Sequence, residues 1–497
     1  MSAEDCQIIF SFSTNLPNGF THTLKRFEMV KKIILIILLL FLIISPRIIL
    51  GLRNEQVARQ AMRSDDLAKA TKEFELAAYR LFWRGDLWNE VGKANSINGQ
   101  REEALFAYRK AQEKGVLSAF GWDILGQESW QQGNRENALN LWLDGLAHYP
   151  DYSEFYSHLA KAYREKGDYT AERDALENRL KFENDTSETA PLHYRLGVLL
   201  MLDSPEEALD ELNRAARLDE VFAPVVGTLR ASLDLARLES DPAESILLLG
   251  RGLALVGEWQ LAELMFTRAT QAYPANASAR AWLGEAKQHL EADALSDLEQ
   301  ALNLNPNSVL VRSLRGLYWQ RQGNLEKALQ EFQVAVKIEP ENPNWHTALG
   351  EIYARSGDLQ SALSAYQQAV SLAPKNPFYW QLLALFSADY AVQLEDIGLP
   401  AAEKAVLLRT EEAEFADTLG WVYFGLGRDE EAEAQFLIAL RLNPDLGAAH
   451  LHLGMLYLKR NHLGLAYQSL LTARDFSSET WVVEQASRLL DEYFQEE

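Results

Sequence analysis

Small side chains return along this chain at a fixed interval. Ala58, Gly92, Gly126 and Ala160 stand 34 residues apart, as do Gly250 and Gly284, then Gly316, Gly350 and Ala384, then Gly420 and Gly454. A column of alanines follows, running through Ala70, Ala104 and Ala138 to Ala328, Ala362, Ala432 and Ala466. Another passes through Ala77, Ala111, Ala269, Ala335, Ala369 and Ala439. Between these two lies a bulky column: Phe74, Tyr108, Trp142, Leu176, Leu212, Phe266, Leu298, Phe332, Tyr366, Phe436 and Leu470. The pattern predicts pairs of antiparallel helices, each of roughly a dozen residues. Small residues let the two backbones approach, and the bulky residue fills the remaining space. Glycines such as Gly99, Gly133, Gly167, Gly257, Gly323, Gly357 and Gly427 fall where the chain must turn between the helices. Prolines at 150, 274, 306, 340, 374 and 444 end the second helix. One such pair cannot bury its apolar face alone, so the units must stack.

The columns divide the chain. An N-terminal array is expected over 54–220 and a C-terminal array over 242–480. Between them the step from Gly197 to Gly250 is 53 residues, which predicts one extra helix over 221–241 as a joint. From Phe386 to Pro400 the pattern strays by two residues, and Gly398-Leu399-Pro400 is expected to be a loop. The end, 478–497, reads as a capping helix strongest over 478–494, with Glu484, Arg488, Asp491 and Glu492 supplying a polar outer face.

Three segments carry a fuller motif. Ala348-Leu349-Gly350-Glu351-Ile352-Tyr353 is followed by Gly357, Ala362, Tyr366, Ala369 and Pro374. Thr418-Leu419-Gly420-Trp421-Val422-Tyr423 is followed by Ala432, Phe436, Ala439 and Pro444, and Trp122 by Leu125, Gly126, Ala138, Trp142 and Pro150. In spacing and residue type these resemble the tetratricopeptide repeat (TPR), W-x₂-L-G-x₂-Y, then A-x₃-F, then P. The resemblance extends from about residue 54 to 480. It implies an all-α TPR α-solenoid, a right-handed superhelix of antiparallel helix pairs with a concave inner face.

The N-terminus reads differently. Residues 33–44 are an unbroken apolar run after Lys31 and Lys32, and the run resumes after Ser45-Pro46-Arg47. Twelve helical residues rise about 18 Å, short of a hydrocarbon core of about 30 Å. Taken together, 33–52 would just span as a transmembrane signal anchor, with 1–32 as a cytoplasmic segment. A signal peptide cleaved after export is the alternative, although no small-residue cleavage site follows. With Lys25, Arg26, Lys31 and Lys32 held inside, the repeats are expected outside a bacterial cytoplasmic membrane as the body of a single-pass protein. Arg47, Arg53, Arg59 and Arg63 on the far side pull against that orientation, and a cytoplasm-facing solenoid is the other outcome. Met29-Val30-Lys31-Lys32 is a ready start for such a signal, so 1–28 reads as untranslated, which would remove Cys6, the single cysteine.

Composition narrows the chemistry. Acids outnumber bases 71 to 48, a net charge of −23 that makes the chain a poor sink for phosphate backbones, so no nucleic-acid partner is expected. One cysteine excludes a disulfide framework, a zinc ribbon and a CxxC redox motif. Gly250-Arg251-Gly252 lacks the spacing of a dinucleotide-binding loop and already belongs to the repeat columns. His450 and His452 are two apart, which puts them on different faces of a helix, so both read as surface or groove imidazoles rather than metal ligands. No catalytic residue, metal or cofactor is expected.

Function is therefore sought on the concave face of each unit's first helix, at positions i, i+4 and i+7. In the N-terminal array these positions include Lys93, Gln127, Trp130, Lys161 and Arg164, a polar face of mixed charge. In the C-terminal array they include Leu385, Asp417, Trp421, Phe424, Leu451, Met455 and Leu458, a largely apolar one. Trp421 and Phe424 are surplus to that helix's packing positions and could hold an apolar peptide or amphipathic helix, unless the capping helix or a neighbouring subunit covers them. The lysines present do not complete the two-carboxylate clamp familiar in the resembled family. The function expected is a non-enzymatic, membrane-anchored scaffold for protein or peptide partners, by analogy in cell-envelope or surface-polysaccharide assembly. A cytoplasm-facing assembly factor and an accessory subunit of an envelope enzyme are the alternatives. The register itself is testable: Leu349→Ala should cost about 2–5 kcal/mol in chemical denaturation, and a loss below about 1 kcal/mol would contradict it.

Overall fold

The computed structural model describes residues 18–494, without the side chains of 18–30, 34 and 36–44. The readings placed on residues 1–17, Cys6 among them, lie outside the described residues. Everything regular in those described is helical, and no strand occurs among them. Two compact units result, Met1–Ala223 and Pro224–Glu497.

The first unit is a stack of helix pairs: α1 (Asn18–Arg63) with α2 (Leu67–Arg80), α3 (Leu87–Ile97) with α4 (Arg101–Glu113), α5 (Ala119–Gln131) with α6 (Arg135–His148), α7 (Glu154–Lys166) with α8 (Tyr169–Leu180), and α9 (Ala190–Leu200) with α10 (Pro205–Leu218). The second opens on α11 (Ala223–Leu238). Then come α12 (Pro242–Leu255) with α13 (Trp259–Ala272), α14 (Ala277–His289) with α15 (Leu295–Leu304), and α16 (Val309–Arg321) with α17 (Leu325–Ile338). They are followed by α18 (Pro343–Arg355) with α19 (Leu359–Leu372), α20 (Pro377–Asp389) with α21 (Leu399–Leu408), α22 (Ala413–Gly425) with α23 (Asp429–Leu442), and α24 (Gly447–Lys459) with α25 (Leu463–Phe476); α26 (Thr480–Phe494) closes the stack.

Most pairs are held by one recurring contact. The bulky residue of the second helix lies directly on the glycine of the first: Tyr108 on Gly92, Phe266 on Gly250, Phe332 on Gly316, Tyr366 on Gly350 and Phe436 on Gly420. A Cβ added at Gly420 would come within 2.6 Å of the Phe436 ring. Phe74, Tyr108, Trp142, Phe266, Phe332 and Phe436 are all buried, and burying a side chain of this kind contributes about 1.5–3 kcal/mol. The chain reverses between the helices through left-handed glycines, φ 79° at Gly133 and 74° at Gly427, a conformation cheap only for glycine. The second helices then start on side-chain caps: Asp358 accepts from the Ser361 amide at 3.1 Å and Asn324 from that of Lys327 at 3.1 Å.

Two expectations are corrected. Gly398-Leu399-Pro400 is not a loop. A wide helical turn covers Leu394–Gly398, the Gly398 amide bonding the Gln393 carbonyl at 3.2 Å, and it runs straight into α21. Pro400 falls in the first turn of α21, where its missing N–H is not needed. The two-residue shift is absorbed just before, where Ala391 and Gln393 take left-handed φ values of 51° and 45°.

The second correction is larger. Among the described residues no helix is long and apolar enough to cross a membrane, which overturns the single-pass assignment and the sidedness built on it. The residues needed to complete a span are engaged elsewhere. Arg47 Nη2 donates to the Tyr79 carbonyl at 2.9 Å, Ile48 packs on the first unit's core, and Gly51 lies against Leu81. Residues 47–63 are thus the first helix of the first pair, with Ala58 fully buried. The apolar run left over, 33–44, is too short for the bilayer. The envelope role was attached to the anchor and loses that support.

The contact between glycine and ring predicts a contrast. Gly420→Ala should destabilise the protein by about 1–3 kcal/mol, because Phe436 has nowhere to go. Gly227→Ala, in α11 with nothing within 4 Å of the added carbon, should stabilise by about 0.5–1 kcal/mol through helix propensity. Equilibrium urea unfolding of the two variants checks both signs.

Candidate functional site

In the first unit the expected face breaks into separate groups. Lys93 is exposed on α3, with no ion pair among the described residues. Gln127 on α5 donates to Asp123 Oδ2 at 3.0 Å, and Asp123 Oδ1 lies 2.9 Å from His158 Nε2 on α7. The His158 ring stacks on Trp142, centroids 4.8 Å apart. Trp130 is covered by the Arg135 guanidinium at 3.8 Å, with the Lys161 ammonium 5.9 Å from the ring. Arg164 is committed: its Nε donates at 2.6 Å to Glu172 Oε1, which also takes Arg195 Nε at 2.7 Å, and Glu172 is fully buried. Gln127, Trp130 and Lys161 are therefore near neighbours on α5 and α7, whereas Arg164 is tied to Glu172.

The second unit gathers its residues more closely. A cavity of about 590 Å³ opens between α20, α22, α24 and α26, lined in part by Leu385, Asp417, Trp421, Leu451 and Met455. Trp421 forms its central wall. Its ring stacks on His452 with centroids 4.4 Å apart and on Phe424 at 5.2 Å, and its Nε1 donates to Asp389 Oδ1 at 2.8 Å. Phe424 is outside the cavity and carries the Lys459 ammonium over its face at 4.9 Å. Met455 and Leu458 are partly covered by α26, and Leu451 is buried against Val482, Ala486 and Leu490. The capping helix therefore covers part of the expected face and walls the rest. Tyr423, beside Trp421 on α22, points to the packing side, and burial raises its phenol above the ordinary value.

His452 lines the cavity, the groove half of its expected placement, but it is buried there rather than on the surface. Its Nδ1 lies 2.9 Å from Asp417 Oδ1 and 3.1 Å from Oδ2. A signal was present. Asp417 and His452 are 35 residues apart, and so are Asp123 and His158, so both pairs join the first helices of adjacent hairpins at the same register. Trp481, Glu414 and Glu479 also line the cavity and were not expected to. His450, the other imidazole of the pair, is held by the Pro444 carbonyl at 2.9 Å. No group of three or more His, Cys, Asp or Glu suited to a metal ion occurs among the described residues.

Helix hairpins repeated in this way define a helical repeat protein. Models of the tetratricopeptide repeat match residues 320–386, and also 125–188, 292–343 and 418–478. The chain carries tetratricopeptide repeats. Among solved structures it is similar to yeast Tom70, at 14% identity over 89% of this chain and 95% of that one, TM-score 0.41. It is similar to Cut9-Hcn1 of the APC/C, at 14% identity over 90% and 99%, TM-score 0.42. A tetratricopeptide repeat protein from Parabacteroides merdae matches at 15% identity over 50% of this chain and 98% of that one, TM-score 0.42. No curated protein matches the chain.

If Asp417 and His452 act as a pair, Asp417→Ala should cost between about 1 and 5 kcal/mol, the span from a neutral hydrogen bond to a buried ion pair. A double-mutant cycle with His452→Phe, followed by chemical denaturation, should return a coupling above about 0.5 kcal/mol; a smaller value would show that the two groups act independently.

Proposed function

We propose that this chain is a non-enzymatic adaptor that seats a segment of a protein partner in the cavity of its second unit. The observation that carries the reading is the lining itself. Leu385, Trp421, Leu451 and Met455 give an apolar floor, and polar groups of Gln381, Thr418 and Gln485 stand beside it. Gln381 Nε2 already donates to Thr418 Oγ1 at 3.0 Å, so the side-chain amide of Gln381 is held in place at the edge. Apolar walls with a few fixed polar groups are what peptide and ligand sites have in common. Repeats of this family generally bind protein or peptide partners, and the cavity crosses first helices of successive hairpins, the face where an extended segment can touch several units at once. In the first unit, the group of Gln127, Trp130 and Lys161 is a smaller, more polar surface of its own.

The test is photocrosslinking in cells from a benzoylphenylalanine placed at Leu385, with the same residue at Leu437, exposed on α23, as the comparison. A discrete protein adduct from position 385 that is absent from position 437 is the expected result. Equal adducts from both positions, or none from 385, would count against the cavity as the seat of the partner.

A further inference from the structure

The charge around the second unit's cavity is one-sided. Asp389, Glu414, Asp417 and Glu479 line it, and no lysine or arginine does among the described residues. Two of the four carboxylates are occupied: Asp417 by His452, and Asp389 by the indole N–H of Trp421. Glu414 on α22 and Glu479, just before α26, are exposed, and neither has an ion-pair partner among the described residues. Arg488 stands a turn away on α26 and is bonded to Gln485 at 2.8 Å. Two indoles complete the arrangement: Trp421, half-buried, and Trp481, 52% exposed, with His452 between them at 4.4 and 6.4 Å.

Resting on the adaptor reading, we infer that the segment seated here is basic and apolar, with a lysine or arginine placed between Trp481 and the Glu414 and Glu479 carboxylates and an apolar neighbour on Trp421 and Leu385. An indole face attracts a cation through its ring quadrupole, and the carboxylates add to that attraction rather than oppose it. An acidic segment would face uncompensated like charge at both carboxylates. The overall excess of acids favours the approach of such a partner from a distance, while the aromatic walls and the two free carboxylates select where it docks.

The experiment is selection of a random peptide display library on the full chain, followed by affinity measurements on synthetic peptides of the enriched sequences. The expected enrichment is Lys or Arg beside Leu, Ile, Met or an aromatic residue. Glu414→Gln/Glu479→Gln should then weaken the enriched peptides about fivefold or more, and Trp481→Ala should weaken them similarly. All three side chains are exposed, so the fold should survive these changes, and circular dichroism verifies it. Glu430→Gln/Glu431→Gln makes the same change of charge on exposed positions of α23 and should alter affinity less than about twofold. Enrichment of acidic or uncharged peptides, no enrichment, or equal losses in both double variants would overturn the inference. If the adduct at position 385 forms but its partner segment carries no lysine or arginine, the adaptor reading stands and this one fails.

Discussion

An aromatic or leucine side chain resting on a bare glycine is the contact on which the rest of the structure depends. With no Cβ at Gly92, Gly250, Gly316, Gly350 or Gly420, the second helix of each hairpin can bring its bulky residue down onto the backbone of the first. That close approach fixes the separation of the two helices. It also fixes their register, because the ring can meet the glycine at only one position along the helix. The alanine columns then follow as the positions where neighbouring backbones have no room for more. A change at any of these glycines acts on two helices together, so its cost is set by how far the ring can retreat.

This contact explains why the fold was legible. Residues separated by one helix pair are forced into the same environment in every unit, and the forced choices are extreme in size: glycine or alanine against phenylalanine, tyrosine or tryptophan. Where the environment is less demanding, the reading failed. The stretch from Phe386 to Pro400 looked like a loop because proline and glycine adjoin, yet the shift is taken up by left-handed backbone at Ala391 and Gln393, residues that carry no such mark. The apolar run near the N-terminus suggested a span because hydrophobicity alone does not say where a core helix begins. The bond from Arg47 to the Tyr79 carbonyl and the burial of Ala58 show that the repeat stack has claimed that helix well before the run could be completed.

The candidate site was legible in part, for a related reason. Leu385, Asp417, Trp421, Leu451 and Met455 could be placed on one wall because helical periodicity alone aligns i with i+4 and i+7. The pairing of His452 was missed because its meaning lies across hairpins: within its own helix it is one residue beyond Leu451, and only the preceding unit's Asp417 makes it a buried pair. Glu479 and Trp481 were missed because they enter from the capping helix and the turn before it, where no column runs. The bond from Arg164 to Glu172 was not foreseen because that partner is invisible until α7 and α8 are folded together.

The capping helix has a consequence of its own. Linear arrays of repeats loosen from their ends, since a terminal unit has one neighbour instead of two. Here α26 shields the last hairpin through Val482, Ala486 and Leu490 and at the same time furnishes one side of the cavity through Trp481 and Gln485. Displacing α26 would therefore uncover the last hairpin and open the cavity together. Whatever fills that space and rests on α26 steadies that hairpin as well.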